Sequence, residues 1–136
     1  MFTSKTQIRI HYALTDQMGL VYYGNYAQFY EIGRTEALRS LGLTYKEIEA
    51  TGIIMPVTEM HTRFLRPALY DDLLTVVTMV KEMPLHSKIV FHSEIFNEKN
   101  ELLNVGEVTL YFLNSKTMKR SDMPEKIKEK LIDYFK

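Results

Sequence analysis

Asp16 is the residue of this sequence best suited to chemistry, and its neighbours say which chemistry. It stands in the run TDQMGLVYYGNY, residues 15–26, three positions ahead of Gly19 and nine ahead of Asn25. Gly19 lets the backbone turn where a Cβ would hinder it. A helical pattern begins at Tyr26, so the amides of residues 21–25 are expected to point out of a helix start carrying partial positive charge. A carboxylate facing such donors suits reactions at a carbonyl: the acid attacks or takes a proton while the amides hold a developing oxyanion. Tyr22 and Tyr23 suit either packing where the helix enters a core or a wall for a ligand. By local pattern alone Asp16 reads equally as a turn or cap residue, because Asp is favoured there for reasons unrelated to catalysis.

Other chemistries find less support. The four histidines, His11, His61, His86 and His92, sit in strand-like segments without a nucleophile elbow or the HxH and HxxxH spacings of metal sites. The absence of cysteine removes thiol nucleophiles, thiolate metal sites and disulfides, and fits a reducing cytosol. Seventeen basic and seventeen acidic side chains cancel, so overall charge asks for neither nucleic acid nor an anionic membrane surface. Residues 3–7 are polar where a leader would be apolar, and no apolar run approaches the ~20 residues that cross a bilayer. A cytoplasmic protein without membrane insertion is expected. At 136 residues and 46% hydrophobic composition, residues 1–136 suffice for a single domain with its own core.

The elements that would position Asp16 follow from periodicity. Residues 7–14 alternate, with Ile8, Ile10, Tyr12 and Leu14 on one face, and predict a half-buried strand. Tyr26, Phe29, Tyr30, Gly33, Ala37 and Leu41 form one stripe at helical spacing, with Asn25 as the expected N-cap and Gly42 as terminator. Gly33 in that stripe weakens a helix, which implies close approach to a flat neighbour such as a sheet. Thr44 and Glu47 form a capping-box pattern for a short helix ending near Gly52. Four strand-like stretches follow at 53–64 (broken by Pro56), 73–83, 88–96 and 102–113, read as a meander, with Asn97–Asn100 as a hairpin turn. Pro124 opens a terminal helix whose apolar side is Ile127, Leu131 and Tyr134 or Phe135. The last long strand is apolar on both faces, so the second face predicts a covering copy of the chain.

Residues 16–42, DQMGLVYYGNYAQFYEIGRTEALRSLG, closely resemble the signature of the 4-hydroxybenzoyl-CoA thioesterase-like hotdog family, which includes the thioesterases associated with the Tol-Pal system. RFLRPALYDDLL at 63–74 resembles the start of the same family's third strand, and the resemblance runs from Ile8 to Leu113. It implies an α+β hotdog fold, a five-stranded antiparallel sheet wrapped around a long central helix, with a C-terminal helix added here. It also implies hydrolysis of acyl-CoA to free CoA and a carboxylic acid, by homodimers or homotetramers with sites at the subunit interface. Acyl carrier protein thioesters, or acyl-CoA binding without catalysis, are the alternatives.

Carried over by position, the catalytic aspartate falls on Asp16, and the carbonyl-polarising amide falls on Tyr23 with Gly24 beside it. Gly19, Tyr22 and Asn25 complete the substrate side, while Arg66, His86, Ser87 and Lys88 are candidates for the CoA phosphates. Many Tol-Pal-associated members carry histidine where this chain has Tyr23, so a histidine-assisted mechanism does not transfer. Another hotdog subclass mounts its carboxylate on the helix, but Glu31 and Glu36 lie off the apolar stripe and read as surface pairing. A thioester is already activated, with a leaving thiol of parent pKa near ~8.5, so one carboxylate and one oxyanion donor suffice without metal or redox cofactor.

Overall fold

The computed structural model describes residues 1–136. Strand β1 (Phe2–Arg9) leads through a 3-10 turn (Tyr12–Leu14) and a loop to a second 3-10 turn (Tyr23–Asn25) that runs into helix α1 (Tyr26–Ser40). Then come α2 (Tyr45–Ala50), β2 (Ile53–Ile54), β3 (Val57–Phe64), β4 (Leu73–Val80), β5 (Lys88–Phe96), β6 (Leu102–Tyr111), β7 (Leu113–Asn114) and α3 (Glu125–Leu131). Five strands form one antiparallel sheet in the order β1-β4-β5-β6-β3, and β2 pairs with β7 in a small second sheet. No helix is long and apolar enough to cross a membrane.

Helix α1 packs along the inner face of the sheet. Phe29, Tyr30, Ala37 and Leu38 meet Leu74, Val76, Ile89, Phe91, Ile95, Val108 and Leu110 in one buried cluster. Gly33 makes the close approach that its place in the stripe implied: a Cβ there would lie 2.9 Å from Val76 Cγ1 and closer still to Thr78 Oγ1. Gly42 (φ 82°) and Gly52 (φ 89°) end the two helices in the left-handed region open to glycine. The Thr44 hydroxyl accepts the Glu47 amide at 3.1 Å, so the cap that starts α2 forms.

Three expectations need correction. The first strand runs over Phe2–Arg9 instead of 7–14, because Tyr12–Leu14 closes a 3-10 turn that leaves Tyr12 outside the core. The four later strands are not a meander: β3 leaves β4 and pairs with β6, at the far edge of the sheet. Neighbour choice is set by how the chain wraps α1, which alternation within a strand does not encode. The outer face of the sheet is mixed: half-exposed Val77, Val90 and Val105 alternate with Glu94, Glu107 and His92. Within the sheet, exposed apolar side chains lie instead on and beside edge strand β3, at Val57, Met60, Phe64 and Leu65.

Candidate active site

Asp16 lies in a tight loop between the end of the first 3-10 turn and the start of the second. Its amide donates to the Leu20 carbonyl at 2.8 Å and its carbonyl accepts the Gly19 amide at 3.1 Å. Gly19, at φ 77°, supplies the backbone conformation this closure requires. One carboxylate oxygen, Oδ1, accepts the amides of Met18 at 2.9 Å and Leu20 at 3.2 Å. The other, Oδ2, has no protein hydrogen-bond partner, and the residue is partly exposed. The turn role therefore occupies one oxygen only: Oδ1 shapes the loop and Oδ2 is free.

A short ladder joins this loop to the helix start. Thr15 bridges Val21, the Tyr22 amide donates to Leu14 O at 2.9 Å, and the Val21 amide donates to Ala68 O at 2.9 Å. The Asn25 amide closes onto Tyr22 O at 2.9 Å. Of the five amides between Val21 and Asn25, only those of Tyr23 and Gly24 have no acceptor. Asn25 stands at the N-cap position that its type suggested but makes no capping bond: its backbone is already helical, and its side chain donates to Leu14 O at 2.9 Å, tying the helix start to the segment that leads into Asp16. Gly24 is needed for space, since a Cβ would sit 2.6 Å from the Tyr22 ring. Tyr22 and Tyr23 are both exposed, their rings tilted with centroids 4.6 Å apart, so they do not pack the core.

Core filling at the helix start falls to Tyr26 and Tyr30. Burial raises both phenols above their ordinary range; for Tyr30, hydrogen bonds with Thr62 and Asn104 work the other way. Neither ionises near neutral pH. Of the helix carboxylates, Glu31 is exposed and Glu36 pairs with Arg39 at 3.3 Å, the surface pairing expected of Glu36.

The four candidates for phosphate binding do not lie together in one chain. Arg66 follows β3 at the end of the sheet nearer Asp16, and pairs with Glu101 at 3.1 Å. Glu101 is held below the usual carboxylate range by its hydrogen bond to Asn97 and by the charge of Arg66. His86 and Ser87 belong to the β4–β5 connection and Lys88 opens β5 at the opposite end, where Lys88 pairs with Tyr111 and Val57 with Leu110. They line a cavity of about 660 Å³ together with Lys81, Tyr111 and Arg120, whose guanidinium lies 4.4 Å from the Tyr111 ring centre. His92, also in its wall, is held below the usual imidazole range by burial and by Lys81. No three His, Asp or Glu side chains converge as a metal cage would need.

Sequence reasoning missed the loop after β3. Leu69 bridges Leu20, the Tyr70 amide reaches Gly19 O at 3.3 Å, and the Tyr70 ring stacks on Tyr12. The ALYDD run was legible only as the entry to a strand, and its packing on the Asp16 loop depends on contacts some fifty residues apart in sequence.

Residues 10–131 match the family described as the thioesterase-like superfamily. The chain is 33% identical over 120 residues to the acyl-CoA thioester hydrolase YbgC of Escherichia coli, covering 88% of this chain and 89% of that protein. The crystal structure of a DHNA-CoA thioesterase from Staphylococcus aureus superposes with a TM-score of 0.89 at 32% identity, covering 100% of this chain and 97% of that one. A 4-hydroxybenzoyl-CoA thioesterase variant solved with 4-hydroxybenzoyl-CoA shares the fold, with a TM-score of 0.83 at 20% identity over 93% of this chain and 97% of that one.

Proposed function

The chain belongs to the thioesterase-like superfamily, and from that premise we propose that it hydrolyses acyl-CoA thioesters to free CoA and a carboxylic acid. The observation that carries the reading is that the two segments of one pinned ladder leave Asp16 Oδ2 without a donor and the Tyr23 and Gly24 amides without an acceptor.

In the proposed reaction the Tyr23 and Gly24 amides hold the thioester oxygen, and Asp16 Oδ2 attacks the carbonyl carbon. Collapse of the tetrahedral adduct breaks the C–S bond, and CoA leaves as a thiolate that takes a proton from solvent. Water then splits the mixed anhydride, which yields the acid and restores the Asp16 carboxylate. CoA is part of the substrate, and the scheme calls on no metal or redox cofactor.

A homodimer completes the reading. Antiparallel pairing of two β3 edges about a two-fold axis would cover Val57, Met60 and Phe64. It would also bring the Val57 end of one copy to the Phe64 end of the other. His86, Ser87 and Lys88 of the partner subunit would then approach the Asp16 end, and the divided candidates for CoA binding would be rejoined.

Turnover of an acyl-CoA panel, followed with a thiol-trapping dye, tests the activity. Asp16→Asn is expected to lower kcat about 10²–10⁴-fold; an unchanged rate on every substrate removes Asp16 from the chemistry. Mass spectrometry of acid-quenched single turnovers separates its two roles. An acyl adduct on the Asp16 peptide is expected, and ¹⁸O from water in the product acid with no adduct would make Asp16 a general base instead.

A further inference from the structure

We propose that the stacked rings of Tyr12 and Tyr70 form a clamp that positions the Asp16 loop against the Tyr23 and Gly24 amides; this rests on the thioesterase reading above. The rings lie nearly parallel, 6° apart, with centroids 3.9 Å apart. Yet Tyr12 is 74% exposed and Tyr70 42%, so burial in the core does not explain the pairing.

The backbone on each side of the stack is fixed to a different part of the loop. The Tyr12 carbonyl accepts both the Thr15 amide at 3.0 Å and the Thr15 hydroxyl at 2.8 Å, tying Tyr12 to the residue that precedes Asp16. On the other side the Tyr70 amide donates to Gly19 O, and Leu69 bridges Leu20, where the loop closes. The stack thus joins the start of the Asp16 loop to its end. Asp71, next in the chain, is held at φ 68°, a conformation that residues other than glycine adopt at a cost. It is fastened there by its amide on Ile10 O at 2.9 Å and by Arg9 Nη1 on its carbonyl at 2.7 Å. A costly turn kept beside a reactive loop is what a positioning role requires, because small displacements of a reacting group cost large factors in rate.

Tyr12→Ala and Tyr70→Ala, singly and together, with Phe at each position, test the clamp. Each Ala variant is expected to lower kcat about tenfold with KM within about twofold. The double variant should be no worse than either single one, and Phe should retain wild-type kcat. Amide exchange at Leu20, whose N–H reaches Asp16 Oδ1, should quicken in the Ala variants and not in the Phe variants. That readout needs no substrate, so it decides the clamp even if wild-type protein hydrolyses no thioester, a result that would sink the activity reading alone. The clamp is overturned if the Ala variants keep wild-type kcat and Leu20 exchange. It is overturned as well by a rise in KM at constant kcat, which would make the rings substrate contacts, or by Phe losing as much as Ala, which would place the effect in the hydroxyls.

Discussion

At Asp16 the two carboxylate oxygens have different partners, and that difference lets one side chain brace the loop while keeping an oxygen for the proposed attack. Two amides fix Oδ1, which leaves Oδ2 oriented without a competing donor. In the proposed reaction the polarising groups belong to the backbone, so side-chain identity at residue 23 should matter little. Tyr23→Phe is expected to keep kcat within about twofold, whereas Gly24→Ala drives a Cβ into the Tyr22 ring and displaces the donors. A kcat loss of up to about 10²-fold follows from a lost oxyanion donor. Steady-state kinetics on one acyl-CoA checks both; equal losses would put the Tyr23 hydroxyl into the chemistry. The Asp16, Gly19, Tyr23 and Gly24 spacing was legible in the sequence because these residues are local. Which amides stay free was not, since Val21 is taken by Ala68 and Tyr22 by Leu14.

Helix α1 continues from the turn that carries the Tyr23 and Gly24 amides, and Gly33 lets it lie close against the sheet. An alanine there meets Thr78 and Val76, and overpacking of this kind costs about 1–3 kcal/mol. Thr78 itself is a buried hydroxyl without a hydrogen-bond partner. Thr78→Val should therefore stabilise by about 1 kcal/mol, because it removes a desolvated polar group at nearly constant volume. Urea midpoints measure both shifts at constant slope; a destabilised Thr78→Val would mean that the hydroxyl has a partner in solution. The helix, its glycine contact, α2 and the bounds of β5 were all legible, since each follows from a local period or cap. β1 was misplaced because Tyr12 and Leu14 continue the alternation into a turn. Asn25 misled for a related reason: its type fits a cap, but a carbonyl on a neighbouring segment, Leu14 O, takes its side chain.

For the whole molecule, the separation of Lys88 from Asp16 along the sheet makes the proposed two-fold testable. Asp16→Asn and Lys88→Glu should each depress turnover at low substrate. Mixed by co-refolding, they should recover about a quarter of wild-type activity, because half the dimers are then mixed and each carries one intact site. If the mixture gains nothing, Asp16 and Lys88 of the same chain work together, or do not work together at all. Met60→Glu on the β3 edge should shift the protein to monomer by sedimentation and abolish turnover, while Asp16→Asn sediments as wild type.

By itself the sequence determined the α+β class, the long amphipathic helix, the glycine turns and the Asp16-to-Gly24 motif. Each of these depends on residue type and on spacing within a turn or two of chain. Tertiary structure alone decided that β3 crosses to pair with β6, that Arg66 and the His86–Lys88 group occupy opposite ends of the sheet, and that Tyr70 folds back onto Tyr12. Those relations join residues far apart in the chain. The packing of the sheet around one helix sets them, and no local period records it.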